Sequence, residues 1–316
     1  MIDATIITTI DFNFRPIDLL YKSFIFFKRL AYTDIQIRIG HANRHTIYDY
    51  ILTHIYTKIF KNIFIISVHY KSKNVKNSLL RNIASQNINS TFMIFSDIDI
   101  YFQINILNSM IAETKKNGFS IIPCLYLTRK GTQHILKTND MNSIIDNWLS
   151  ISFNYVKHIA IPSSFLCLTQ ETFKKLNGFD ENFEGHGYED FDFLLRLILY
   201  FDKKTLHLYS YEDKVYKSPL LMRGFRCFLA SFCLKNVLQK KFVFHLEHKK
   251  NKATYNSDRQ RNAFLFKEKF SILFKNTSYS SQIPNLIILF YATCHDLKIN
   301  PELFTVLFFH KTSKKK

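Results

Sequence analysis

Five carboxylates and two imidazoles stand at spacings that could do chemistry. Glu189, Asp190 and Asp192 open an amphipathic run of Phe191, Leu194, Leu195, Ile198 and Leu199, directly after Gly185 and Gly187. That position puts three acids in the first turn of a helix, where the dipole favours negative charge and a carboxylate can take a proton from a bound hydroxyl. Acids at a helix start also occur with no catalytic duty, so the glycines matter: three of the chain's seven lie within residues 177–196. Gly178 is expected to end a helix begun near Gln170, and Gly185 and Gly187 to take positive φ close to a ligand. Asp97 and Asp99 follow the apolar run Phe92-Met93-Ile94-Phe95. A spacing of two on a strand points both carboxylates to one side, and two anions at a buried strand end repel unless a cation intervenes, as a metal bridging to diphosphate would. His245 and His248 read either as two exposed polar residues or as neutral nitrogen ligands for a metal ion.

The elements that must position these groups alternate. Residues 5–10 are β-branched and read as a buried strand, followed by a helix over 16–32 with proline in its first turn and an apolar face of Leu19, Leu20, Phe24, Phe27 and Leu30. A strand over 35–39, a helix over 48–60 and a strand over 63–68 continue the pattern. Such alternation predicts an α/β fold whose parallel sheet is flanked by helices, with ligands at the carboxyl ends of strands. Further on, a helix over 104–117 is stopped by Gly118, and strands are expected over 120–127 and 159–168. Residues 128–132 read as a basic turn and 206–215 as a hairpin. Trp148, the one tryptophan, is either a core residue or a ring stacked on a sugar. From Lys249 onward the chain is basic and helical in pattern and closes on Lys314, Lys315 and Lys316. That tail is either a helical cap or a patch drawn to anionic lipid.

A hydrophobic content of 47% is ample for a core, and scarce Gly and Pro argue against long disordered linkers. The formal net charge of +18 fits nucleic acid, an anionic membrane surface, or phosphorylated and acidic-sugar substrates. No zinc-finger spacing, Arg-Gly tract or aromatic ribonucleoprotein motif is present, which disfavours nucleic acid. Neither a dinucleotide fingerprint nor a P-loop occurs. Cys124, Cys167, Cys227, Cys233 and Cys294 are scattered among apolar residues and read as buried thiols of a reducing compartment. Met1-Ile2-Asp3 leads straight into a strand-like run, and no apolar run reaches the ~18 residues of a membrane span. A cytoplasmic protein, soluble or peripheral at the inner face of the membrane, is expected.

The string Gly-Phe-Asp-Glu-x-Phe-x-Gly-x-Gly-x-Glu-Asp-x-Asp-x-x-x-Arg resembles the acceptor-side motif of inverting, A-type-fold glycosyltransferases such as β-1,4-galactosyltransferases and bacterial chondroitin-type capsule polymerases. The resemblance covers roughly the first 270 residues and rests on three motifs in order. It implies that Asp190 is the base that removes the acceptor hydroxyl's proton, with Glu189, Gly187 and Tyr188 shaping the acceptor site. It implies that Ile10, Arg15, Arg81, Asn82 and Asp97 meet the nucleotide donor. Asp99, His248 and His245 then become ligands of Mn²⁺ or Mg²⁺. His186 and Tyr188 stand where family members often carry Trp, which leaves the acceptor's identity open. Carried through, the resemblance divides the chain into a nucleotide-sugar half (1–102), an acceptor half (103–270) and a basic helical tail (271–316). The expected partners are a UDP-sugar, a glycan or lipid-linked glycan acceptor and an anionic membrane surface. A non-catalytic carbohydrate-binding or scaffold protein of a synthase complex is the alternative, against which the intact Asp99, Asp190 and His248 argue.

Overall fold

The computed structural model describes residues 2–72, 74–202, 211–213, 218–248, 252–274 and 286–309. By its contacts the chain divides into two units. One gathers Met1–Ser120, Ser164–Leu197 and His248–Lys269; the other gathers Ile121–Ser163, Ile198–Glu247 and Phe270–Lys316. Among the described residues the strands are β1 (Ala4–Asp11), β2 (Gln36–Asn43), β3 (Ile63–His69), β4 (Phe92–Phe95), β5 (Ile100–Tyr101), β6 (Phe119–Ile121), β7 (Cys124–Leu127), β8 (Val156–Ala160), β9 (Leu166–Thr169) and β10 (Val243–His245).

The first unit is built on a sheet of order β3-β2-β1-β4-β9-β6. β1 pairs in parallel with β2 and β4, and β2 with β3, whereas β9 runs antiparallel to β4. Stiff Thr and Ile side chains fill β1 and suit a strand covered on both faces. The helix Pro16–Leu30 joins β1 to β2, and a second helical stretch joins β2 to β3. The latter starts at Ile47–Tyr50, widens to a π-helical turn over Ile51–Tyr56 and ends at Thr57–Ile59. Both are crossovers in the same direction, so right-handedness puts them side by side on one face of the sheet. The helix Asn77–Ala84 returns the chain to β4 and packs on β1 and β2. It lies so close that a Cβ on Gly40 of β2 would overlap the Leu80 carbonyl.

The first helix is rotated from the expected face. Leu19, Phe26, Phe27 and Leu30 are buried, together with Lys22 and Ser23. Phe24 instead packs edge-on to Phe60, at 5.6 Å between ring centroids. A neighbouring helix, which periodicity alone does not register, claims that position.

In the second unit β7 lies parallel to β10 and antiparallel to β8. Trp148 is buried edge-on against Phe242 and belongs to the core. The strand expected over 120–127 is split at Pro123 into β6 and β7, and that over 159–168 is split at Pro162 into β8 and β9. Proline has no N–H to extend a ladder, so each run breaks there. The expected basic turn at 128–132 is the start of the helix Arg129–Thr138, because the Thr128 hydroxyl accepts from the Gly131 N–H at 3.0 Å. Within the tail, the helix Leu286–Leu297 and the turns of Pro301–Phe308 bury Phe290, Cys294, Phe304 and Leu307. Ser218 Oγ donates to the Leu307 carbonyl at 2.6 Å, so this part of the tail is a packed cap. The expected hairpin at 206–215 falls largely outside the described residues, as do Lys314, Lys315 and Lys316. All five cysteines are buried free thiols, and among the described residues no helix is long and apolar enough to cross a membrane.

Candidate active site

β4 is buried along its length, and the chain leaves it at Ser96 for a turn carrying Asp97, Ile98 and Asp99. The two carboxylates lie beyond the strand from which their shared direction was expected, and each has its own partners. Alternation holds only on a pleated strand, and these residues lie beyond one. Asp97 accepts from Arg81 Nη2 and from Ser164 Oγ, both at 3.0 Å. Asp99 is buried and accepts from Arg15 Nη2 at 2.7 Å, and its Oδ2 lies 3.3 Å from His248 Nε2. Arg15, just ahead of the first helix, also donates to Asp18 at 3.0 Å, and Lys22 donates to the same oxygen at 3.1 Å.

Arg81 is the hub. The helix packed on β1 and β2 buries it, and its two Nη atoms reach different acids, Asp190 at 2.6 Å and Asp97 at 3.0 Å. Burial opposes its charge, but Asp190, Asp97 and Glu189 outweigh that and raise its pKa above the usual arginine value. Burial likewise pushes Asp190 up to about 7, with Arg81 opposing and Glu189 and Asp97 adding to the rise. Glu189 is raised chiefly by burial, and its Oε2 has no hydrogen-bond partner among the described residues. One guanidinium thus serves three carboxylates. The next residue, Asn82, turns to the acceptor loop: its amide donates to the Phe179 carbonyl at 2.9 Å and to Glu181 at 2.8 Å, while its oxygen accepts from the Phe179 N–H at 2.8 Å.

The loop is fixed from several sides. The helix Gln170–Lys175 is closed by two left-handed residues, Asn177 at φ +56° and the expected Gly178 at φ +64°. Arg196 donates to the Leu176 carbonyl at 2.7 Å and the Gly178 carbonyl at 2.9 Å, and holds Asp192, four residues earlier on the same helix, at 2.9 Å. Asp192 is fully buried and also accepts from Lys269 at 2.5 Å. Gly185 and Gly187 take φ of +74° and +94°, and Tyr188 follows at +73°. Their close neighbour is the helix Lys252–Phe270, from which Asn262 donates to the carbonyls of Glu184 at 3.0 Å and Gly187 at 2.8 Å. A Cβ on Gly185 would overlap the Asp258 carboxylate. Gly185→Ala is therefore expected to cost about 1–3 kcal/mol, read as a Tm lower by several degrees. An unchanged melt would mean that the loop can move off that helix.

Ile10 is buried in β1. The Tyr188 ring packs against Phe191 and Phe266, with the Arg259 guanidinium 5.2 Å from its centroid. His245 is buried in the second unit, stacked on Tyr126 at 4.2 Å. Sequence reasoning did not single out Lys22 or assign Ser164 a partner. Lys22 carried a signal: it interrupts the buried face between Leu19 and Phe26, where a lysine needs a counter-charge. Burial lowers its pKa, with Asp99 and Asp18 pulling the other way.

A mixed sheet flanked by helices, with acids gathered where β4 ends, is the architecture of the A-type fold of sugar transferases. The model of the family described as "Glycosyltransferase like family 2" matches residues 46–272. The chain belongs to that family. Among solved structures, residues 1–349 of Staphylococcus aureus TarS align at 14% identity and a TM-score of 0.38, covering 62% of this chain and 55% of that one. The same TarS segment in complex with UDP aligns at 12% identity and a TM-score of 0.35, covering 78% and 58%. This chain thus spans little more than half of that TarS segment. No curated protein matches the sequence.

Proposed function

We propose that the protein is a metal-dependent inverting glycosyltransferase that moves a sugar from a UDP-sugar to a glycan or lipid-linked glycan, in bacterial surface-polysaccharide synthesis at the inner face of the cytoplasmic membrane. The observation that carries this reading is the Asp190–Arg81–Asp97 cluster in a member of a glycosyltransferase family. Asp190 accepts the acceptor hydroxyl's proton while that oxygen attacks the anomeric carbon in line, and the bond to the diphosphate breaks on the far side. Arg81 fixes the orientation of Asp190. A carboxyl titrating near 7 is matched to that task, since it is ionised near neutral pH and basic enough to hold the proton. Glu189, with one unpaired buried oxygen, receives an acceptor hydroxyl, and Gly187 and Tyr188 shape the loop beside it. Asn82 acts through that loop. On the donor side stand Ile10, Arg15 and Asp97.

Asp99 and His248 offer one oxygen and one nitrogen donor, a set that suits Mn²⁺ or Mg²⁺, with His245 the third ligand that the family resemblance implies. A bound cation offsets the charge developing on the leaving diphosphate. Arg15 holds the same Asp99 oxygen, so it must share that carboxylate or turn to the phosphates. Calorimetry of UDP with and without Mn²⁺ tests the assignment. Asp99→Ala is expected to abolish the metal-dependent part of the affinity and His248→Ala to weaken it. Full metal-dependent affinity in a folded Asp99→Ala protein would remove Asp99 from the metal site.

A further inference from the structure

The two crossover helices on one face of the first unit's sheet bury one side against it and leave the other uncovered, and that outer side is apolar. Along Pro16–Leu30 the outward stripe is Ile17, Tyr21 and Phe24, spaced four and three apart, with Ile17 72% and Tyr21 58% exposed. On the neighbouring helical stretch Tyr50 is 53%, Ile55 42% and Ile59 54% exposed. The two stripes form one surface, because Phe24 packs on Tyr56 at 5.9 Å and on Phe60, and the Tyr56 hydroxyl donates to the Leu20 carbonyl at 3.1 Å.

The rim is basic. Lys28 continues the first stripe, and Lys58 and Lys61 close the second, all exposed. Over residues 14–61 the acids are Asp18, held by Arg15 and Lys22, Asp49, buried against His41, and Asp34, exposed in the loop after the first helix. Aromatic and branched apolar residues ringed by lysines are the composition of an interfacial helix, whose rings sit at headgroup depth while the ammonium groups meet lipid phosphates. A second copy of the chain fits poorly, since docking would bring two basic rims together on molecules of net charge +18.

We propose that this two-helix face docks on the surface of an anionic bilayer. The inference does not draw on the C-terminal lysines and requires neither the donor nor the metal assignment.

Flotation of the full chain with vesicles tests the proposal. Binding to phosphatidylglycerol-containing vesicles is expected, falling steeply in 0.5 M salt, with little binding to pure phosphatidylcholine. Ile17→Ser with Tyr21→Ser should lower the partition coefficient about tenfold. Lys28→Glu with Lys58→Glu should lower it by about 30-fold or more, at about fivefold for each lysine lost near an anionic surface. Both pairs are surface positions, and thermal melts equal to the parent's would exclude misfolding. Phe264→Ser, an exposed apolar change on the helix Lys252–Phe270, should alter nothing. No binding to anionic vesicles would overturn the proposal. So would binding that survives both double substitutions but is lost when residues 310–316 are removed, or sedimentation velocity revealing a dimer that Tyr21→Ser dissociates.

Discussion

Asp190→Asn is expected to lower transfer by on the order of 10² to 10⁴, the usual contribution of a general base, with donor affinity and thermal stability nearly kept. The amide retains a hydrogen-bond acceptor for Arg81 but cannot take the acceptor's proton. The pH profile gives an independent reading. With Asp190 titrating near 7, the ionised fraction climbs from about one tenth at pH 6 to about nine tenths at pH 8, and kcat should follow that limb. Asp190→Asn should flatten it. Asp192→Asn is the contrasting change: Asp192 is fully buried between Arg196 and Lys269, so its loss should appear as a lower Tm with the pH limb intact. Equal losses of kcat in the two variants would mean that the acidic turn acts through structure. Full turnover in Asp190→Asn at saturating donor would end the catalytic assignment.

Arg81→Gln should lower stability by about 1–3 kcal/mol, because it removes the buried cation that Asp190 and Asp97 share, while those carboxylates, 34% and 38% exposed, keep some water. The deficit should deepen with pH. A carboxyl whose folded pKa is raised, as that of Asp190 is from 3.8 to about 7, binds its proton more tightly in the native state. Stability from that group is therefore present at low pH and falls as pH rises from about 4 to about 7. Removing Arg81 raises the carboxyl further and carries the fall to higher pH. Melts of the variant at pH 5 and pH 8 should diverge more than those of the parent. Arg81→Lys, keeping the charge but not the fork, should fall between. A variant as stable at pH 8 as at pH 5 would mean that the acids are solvated by water rather than by Arg81.

What could be read beforehand follows from range. Alternating strands and helices are local properties of β-branched runs and of apolar spacing, and helix ends such as Gly118 and Gly178 follow from one residue's backbone freedom. The acidic turn and the His248 position were legible because order along the chain carries them. Pairing across the sequence was not. Arg81 looked like a residue facing a nucleotide, and nothing within ten residues of it announces Asp97 or Asp190. The strand geometry behind a shared direction for Asp97 and Asp99 ends at Phe95, two residues before the first of them. Thr128 looked like part of a turn because its cap bond to Gly131 is visible only once the helix exists.

The position of β9 between β4 and β6 bears on how the chain can be made. During synthesis β4 is released with β1 already beside it, but the strand that covers its other edge is translated about 70 residues later, roughly 4–15 s at ~5–20 residues per second. β6 leaves the ribosome before β9 and has no neighbour in the sheet until β9 arrives. For those seconds the nascent protein presents the open edge of Phe92-Met93-Ile94-Phe95 to its surroundings, a template for stray strand pairing. Any chaperone that shields exposed strand edges would act in the interval before β9 emerges and closes this one.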